Sequence, residues 1–584
     1  MHSASRNWMF AILLGWCGNC LASEPAIIDF KAQFHPEYSG RGMVVSQEMV
    51  ASQIGAKILT QGGNAIDAAV ATGFALAVTL PQAGNIGGGG FMLIYLASEK
   101  RTVAVDYREM APAAAHAQLF VDDGAVNTEK ARFSHLSAGV PGTVAGLLHV
   151  LDKYGTLSRA EVMQPAIELA EKGLKVTYPL VFSLQQAQGR LARNPASAKY
   201  FLDPNGNPPA VGTRWRQRDL AHTLRLIATQ GTNGFYRGET ADKLVAEMNK
   251  GQGLITHQDM ANYRVVERVP VSGTYRGYDI ISMPPPSSGG IHLVQMLNIL
   301  EGWDLPALGH NSADYLHRLI EAMRRAYADR SKYLGDPDFH PVPVAALIDK
   351  KYAAQLRAGI NLNQASASVD IAPALKLAPE SPQTTHYSVW DKEGNVVSNT
   401  YTLNFSYGSG ISVPGAGFLL NNEMDDFSAM AGVPNAYGLV GDEANAIAGG
   451  KRPLSSMTPT LVFKNGKPVL ATGSPGGSTI ITIVLQVLLN TMDFGMNIAQ
   501  ATATPRIHHQ WLPDSVFWET GISPDTITVL RAMGHRFEAT PRVMGRSQSI
   551  ASDGALRYGA TDSRWPGGGA AAEPAAYKAS SVTR

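Results

Sequence analysis

Gln383-Thr384-Thr385-His386-Tyr387-Ser388-Val389-Trp390 decides how the chain is read. It follows residues 356–383, a run rich in Ala, Ser, Pro and Asn and without aromatics, which reads as an exposed connector. The connector stops at two threonines that open a strand, and the chemistry is expected at that junction. A threonine hydroxyl is a poor nucleophile at neutral pH unless a base lies beside it, and the threonine's own α-amino group is an economical base. Such an amine titrates at about 7.7–8.0. Thr384 owns one only if the Gln383–Thr384 bond is cut. Taken alone, the stretch reads more simply as a strand that begins with two β-branched residues after a loop, so the rest of the chain has to decide.

Downstream the period becomes that of strands. Residues 386–391 and 396–403 flank Lys392-Glu393-Gly394-Asn395, a four-residue hairpin loop. Pairing Asp391 with Val396 places Thr385 opposite Thr402 and Thr384 opposite Leu403, so Thr402 lies near Thr384 within one register step. Residues 459–463 and 469–472 form a second hairpin around Asn465-Gly466. It leads into Gly473-Ser474-Pro475-Gly476-Gly477-Ser478 and then a buried helix over 479–489. Residues 549–551 and 556–560 repeat the hairpin pattern around Asp553-Gly554.

Upstream, Met49, Val50, Ile54 and Ile58 recur at helical spacing over 46–60, and Gly62-Gly63 ends that helix. Asn64 caps a second helix over 65–80, closed by Pro81. This helix is apolar nearly all round, which requires burial between layers. Gly87-Gly88-Gly89-Gly90 opens a hairpin of 91–97 and 102–107, and Arg108 falls where its second strand ends. No Gly-Lys-Ser/Thr follows the glycines, so they serve close backbone packing and not phosphate binding. From 132 to about 370 the pattern is largely helical, with breaks at 139–142 and 284–290; His317 is an ordinary residue of a buried helix face. Hairpins in both halves with apolar helices between them predict two stacked sheets covered by helices. Residues 567–584 are expected to be disordered.

The 584 residues are 45% hydrophobic with a formal net charge of +1. That balance excludes a nucleic-acid binder, which needs a basic face. Arg6, the apolar run 8–17 and the small residues around Ala22-Ser23 have the layout of a secretory signal peptide over 1–22. About ten apolar residues fall short of the roughly twenty that span a bilayer, so no stable membrane anchor is expected. A lipid-anchored cysteine is the weaker alternative, since Trp16 is bulky for the position before Cys17. Both cysteines, Cys17 and Cys20, lie in this segment. The mature protein is then left without disulfides, thiolate metal sites or cysteine nucleophiles. His508-His509 lacks a third ligand at a supporting spacing, and neither a metal nor another cofactor is expected. The inferred location is a periplasm or the medium.

With these pieces placed, the chain resembles the γ-glutamyltranspeptidases, members of the N-terminal-nucleophile hydrolase superfamily. Six motifs in the family's order carry the resemblance, which runs over residues 42–564. They are Gly62-Gly63-Asn64-Ala65-Ile66-Asp67-Ala68-Ala69, Tyr107-Arg108-Glu109-Met110-Ala111-Pro112, Thr384-Thr385-His386-Tyr387-Ser388-Val389, Asn421-Asn422-Glu423-Met424-Asp425-Asp426-Phe427, Pro453-Leu454-Ser455-Ser456-Met457, and Gly473-Ser474-Pro475-Gly476-Gly477-Ser478.

The resemblance implies an α+β fold, a four-layer αββα sandwich. It also implies a precursor that cleaves itself before Thr384 into a large subunit, 23–383, and a small one, 384–584. Thr384 would then be the nucleophile, oriented by Thr402, with Gly476 and Gly477 as the oxyanion hole. A γ-glutamyl donor such as glutathione carries an α-carboxylate for Arg108, Ser455 and Ser456 and an α-ammonium for Asn404, Glu423 and Asp426. Residues 431–442, with Tyr437, resemble a lid loop over the substrate. Water, or an amino acid or peptide amine, would accept the γ-glutamyl group. Two other readings stand beside this one. The first is an acylase for glutaryl side chains of β-lactams, and the second is an exported binding protein without catalysis. Glu423 and Asp426 suit an ammonium that a glutaryl group lacks, and a binding protein leaves Thr384, Thr402 and Gly476-Gly477 without a purpose.

Overall fold

A computed structural model describes residues 33–371, 384–436 and 438–574. Two seven-stranded antiparallel sheets form its centre. Sheet I runs, in spatial order, Gly569–Ala572, Met43–Ser46, Thr385–Trp390, Val396–Thr402, Gly89–Leu96, Arg101–Tyr107 and Val266–Arg268. Sheet II runs Glu37–Ser39, Arg557–Thr561, Gln548–Ser552, Lys467–Thr472, Thr460–Lys464, Tyr278–Ser282 and Val271–Tyr275.

The layering follows from the two-residue period of strands. Phe91, Leu93 and Tyr95 pack with Leu461, Phe463, Ala471 and Ile550 in one cluster between the sheets. The alternate residues Met92, Ile94 and Leu96 pack outward against Ala65–Thr79 and its neighbouring helices. On the far side, Val462 and Leu470 of sheet II meet the helices Gly289–Leu300, Ala313–Tyr333 and Ile480–Met492. The four-layer αββα sandwich is thus built from strands that are apolar on both faces.

All fifteen residues of Ala65–Thr79 are buried, as its uniform apolarity requires. Its N-terminus is held by a capping box: Asn64 accepts from the amides of Ile66 and Asp67, and the Asp67 carboxylate accepts from the Asn64 amide. The first of the six motifs is therefore a helix start.

Four expectations are corrected. The 132–370 stretch is not helical throughout, because Val271–Tyr275 and Tyr278–Ser282 form a hairpin on the edge of sheet II. Its turn, Arg276-Gly277, takes positive φ at both residues (46° and 81°), the two-residue geometry that suits strand twist. The register at the nucleophile is one step from the count above: Trp390 faces Val396 and Thr385 faces Tyr401. Asp391 drops out of the ladder because its carboxylate caps the loop, accepting from the Asn395 amide at 2.8 Å and side chain at 2.7 Å. The alanine-rich C-terminal stretch holds a strand, Gly569–Ala572, paired with Met43–Ser46, since ladder bonds are made by backbone and need no large side chain. The connector is not exposed throughout: Ser368 is buried, its hydroxyl donating to the Trp511 carbonyl at 2.6 Å. Residues 372–383 of the connector, the 1–22 leader, Tyr437 and the last ten residues lie outside the described residues.

Leu93 is fully buried between the sheets. Leu93→Ala should cost about 2–5 kcal/mol, read as a lower urea midpoint, whereas Leu93→Met should cost under about 1.5 kcal/mol.

Candidate functional site

The corrected register faces the residue before the strand, Thr384, toward Thr402. The Thr384 hydroxyl donates to Thr402 Oγ1 at 3.3 Å, and the same oxygen accepts the Asn404 amide at 2.8 Å. Thr402 is held from behind as well, its carbonyl accepting from the Asn85 side chain at 2.9 Å. A Cβ on Gly88 would lie 1.9 Å from that carbonyl, so the glycine run lets two backbones close on each other next to the nucleophile.

His386, two residues on, is not a base for Thr384. Its Nδ1 pairs with Thr400 Oγ1 at 2.8 Å and its Nε2 with Ser388 Oγ at 3.1 Å. Burial lowers its pKa to about 3, so the ring is neutral. His508 and His509 are likewise buried and committed to neighbours: His508 to Thr482 and Gln510, His509 to Asp514 and the Trp511 amide. His317 lies on a buried helix face as expected, paired with His535 at 2.7 Å.

One pocket gathers Arg108, Thr384, Thr402, Asn404, Glu423, Asp426, Ser455, Ser456 and Gly477. Gly476 adjoins Gly477 at the strand-to-helix corner. Both lie in the left-handed range, φ 146° and 55°, which favours glycine there. The Glu423–Asp426 stretch, which in isolation reads as a solvated acidic turn, is a buried 3₁₀ turn. Asn421 fixes it in place by accepting from the amides of Gly139 and Glu423 and donating to the carbonyls of Gly87 and Gly139. Asp425 faces the other way, accepting the Ala436 amide at 3.0 Å and tying down the loop that carries Tyr437.

Arg108 leaves its strand end into this pocket, fully buried. Its Nη1 donates to Glu423 Oε1, its Nη2 to Asp426 Oδ2 at 2.5 Å, and its Nε to the Pro453 carbonyl at 3.2 Å. Burial opposes its charge, but the three carboxylates around it outweigh that and hold the guanidinium more firmly protonated than usual. Burial in turn pushes Glu423 and Asp426 above the ordinary carboxyl range, against the pull of Arg108. Glu423 Oε2 and Asp426 Oδ1 are buried without a hydrogen-bond partner among the described residues. Arg108 leaves these two oxygens open, so the N–H groups of a further cation can donate to them.

Sequence reasoning missed two members. Glu109 is the third carboxyl, its Oε2 3.6 Å from Arg108 Nη1, and among the described residues both of its oxygens lack hydrogen-bond partners. Its place beside Arg108 in the motif was the available signal. Arg330 also lines the pocket, near the end of Ala313–Tyr333, where nothing sets it apart from the other basic residues of that helix.

Burial is the main cause that raises Glu109 to about 7, with Arg108 pulling the other way. The folded state therefore holds a proton that the unfolded chain has lost, and this contribution to stability disappears as pH rises from about 4.5 through about 7. Glu109→Gln should remove it, so the wild type should lose stability relative to the variant between pH 5 and 8, followed as Tm against pH.

The family model described as gamma-glutamyltranspeptidase matches residues 51–572. The glutathione hydrolase proenzyme of Escherichia coli (strain K12) is 52% identical over 95% of this chain and 96% of its own length. Among solved structures, the cephalosporin acylase from Bacillus halodurans superposes with a TM-score of 0.81 at 30% identity, covering 94% of this chain and 100% of that one. The Helicobacter pylori gamma-glutamyltranspeptidase matches at 48% identity and a TM-score of 0.55 over 56% of this chain and 93% of that one. The matched span takes in every segment that reaches the Thr384 pocket, and on that ground the chain belongs to the γ-glutamyltranspeptidase family.

Proposed function

We propose that this protein is a self-processing γ-glutamyltransferase and glutathione hydrolase, exported to the periplasm or the medium. The observation that carries the reading is the pairing of Thr384 with Thr402 in a pocket where Arg108 and two unsatisfied carboxylate oxygens await a zwitterion.

In the first reaction the Thr384 hydroxyl attacks the Gln383 carbonyl, an N-to-O shift gives an ester, and water hydrolyses it. The peptide bond to Thr384 is replaced by a free α-amine, which titrates at about 7.7–8.0 and accepts protons near neutrality. The fragments 23–383 and 384–584 remain together, because each sheet interleaves strands from both sides of residue 384.

In the second reaction the same hydroxyl attacks the γ-carbonyl of the donor. The amide N–H groups of Gly476 and Gly477 would stabilise the oxyanion, each such donor being worth about 10²–10³ in rate. The leaving amine departs with a proton, and water or an amine resolves the γ-glutamyl ester. Arg108, Ser455 and Ser456 would receive the α-carboxylate, and Asn404, Glu423 and Asp426 the α-ammonium. No cofactor takes part in this scheme.

The glutaryl-acylase reading shares the fold with the Bacillus halodurans neighbour. It leaves Glu423 Oε2 and Asp426 Oδ1 buried and unpaired after substrate binds, at a cost of about 1–3 kcal/mol each. An ammonium removes that cost, which favours the γ-glutamyl donor.

Intact mass spectrometry of the purified protein should show two fragments, the smaller beginning at Thr384, and Thr384→Ala should stay one chain. A single uncut chain in both would end the self-processing reading. On γ-glutamyl-p-nitroanilide, Asp426→Ala should raise KM roughly 10- to 100-fold, the value of a charge-assisted contact. Faster turnover of glutaryl-p-nitroanilide by the wild type would move the acylase ahead.

A further inference from the structure

Arg330 has no part in the scheme above, yet it is the second guanidinium in the Thr384 pocket and is only 4% exposed. Its Nε donates to Ser288 Oγ at 3.0 Å and its Nη2 to Ser456 Oγ at 3.2 Å. An arginine can only donate, so both serine oxygens act as acceptors toward it and each hydroxyl proton must point elsewhere. The proton of Ser288 goes to the Ser455 carbonyl at 2.8 Å. That bond, with the Ser288 amide on the same carbonyl and the Ser455 amide on Pro286, fastens the Ser455-Ser456 segment to the 284–290 break. Ser456 lines the pocket, and among the described residues its hydroxyl accepts from Arg330 and donates to no acceptor.

A carboxylate is an acceptor and needs donors. Arg108 is already engaged by Glu423, Asp426 and the Pro453 carbonyl, so hydroxyl donors carry a larger share of carboxylate recognition here. We propose that Arg330 is a positioning residue for the donor's α-carboxylate: by occupying the Ser456 oxygen as a donor, it turns the Ser456 hydroxyl proton into the pocket, and through Ser288 it holds the segment that presents it. The proposal rests on the γ-glutamyl reading. The charge of Arg330 also favours the ionised form of Asp426, the proposed partner of the ammonium.

The test compares L-glutamate with its α-carboxamide as competitive inhibitors of γ-glutamyl-p-nitroanilide turnover, in wild type, Arg330→Gln, Arg330→Lys, Ser456→Ala and the Arg330→Gln/Ser456→Ala double variant. The ratio of the two inhibition constants isolates the carboxylate. Preference for the carboxylate should fall about 10-fold in Arg330→Gln and in Ser456→Ala, the size of one charge-assisted hydrogen bond. It should fall no further in the double variant and be partly kept in Arg330→Lys. Self-cleavage into two fragments reports that each variant folds; should Arg330→Gln fail to cleave, Arg330→Lys and Ser456→Ala carry the same comparison. Two inhibition constants that rise together at an unchanged ratio would overturn the proposal and leave the function standing, as would additive effects in the double variant. A wild type that cleaves neither itself nor the donor would remove both.

Discussion

Everything in the pocket depends on the antiparallel pairing of Thr385–Trp390 with Val396–Thr402. A strand register admits only whole-residue steps, and a single step would turn every side chain to the opposite face. Here the register is locked from both ends. At one end the Asp391 carboxylate caps the hairpin loop; at the other, Gly88 lets the chain before the next strand close on Thr402 where a Cβ would collide. The hydroxyl-to-hydroxyl contact of Thr384 and Thr402 is therefore a consequence of sheet geometry and not of local loop conformation.

On that scaffold sits a cluster of buried charge of the kind that stability alone does not favour. A guanidinium surrounded by three carboxyls out of water incurs desolvation that mutual attraction offsets only in part. The raised carboxyls and the unpaired oxygens on Glu423 and Asp426 express that shortfall. A zwitterionic ligand supplies what is missing on both signs at once, a cation for the open carboxylate oxygens and an acceptor for the guanidinium and the serine hydroxyls. Strained polar sites of this type are where function concentrates.

Sequence reasoning and structure part at identifiable places. The hairpin at Asn465-Gly466, the cap at Asn64 and the buried helix after it were legible because each is dictated within a few residues by turn chemistry or by period. The hairpin at Arg276-Gly277 was missed because its strands are only five residues each in a stretch made largely of helices, so the wider window reads as helical. Gly569–Ala572 was missed because alanine and glycine carry no β signal, although their backbone pairs as well as any other. Arg330 could not be distinguished from its helical neighbours, since its partners Ser288 and Ser456 are distant in sequence.

By itself the sequence determined the alternation that builds two-faced sheets, the all-apolar helix between layers, the glycines at tight approaches and the threonine that opens a strand after a polar run. These are local properties, set by side-chain size, period and backbone freedom. Only the tertiary structure decided that residues from eight separated segments face one pocket, that Trp390 and not Asp391 begins the pairing, and that Arg108 meets Glu423 and Asp426. Charge state belongs to the same class: a carboxyl's affinity for its proton depends on the water removed and the ions brought near it, and both are consequences of long-range packing.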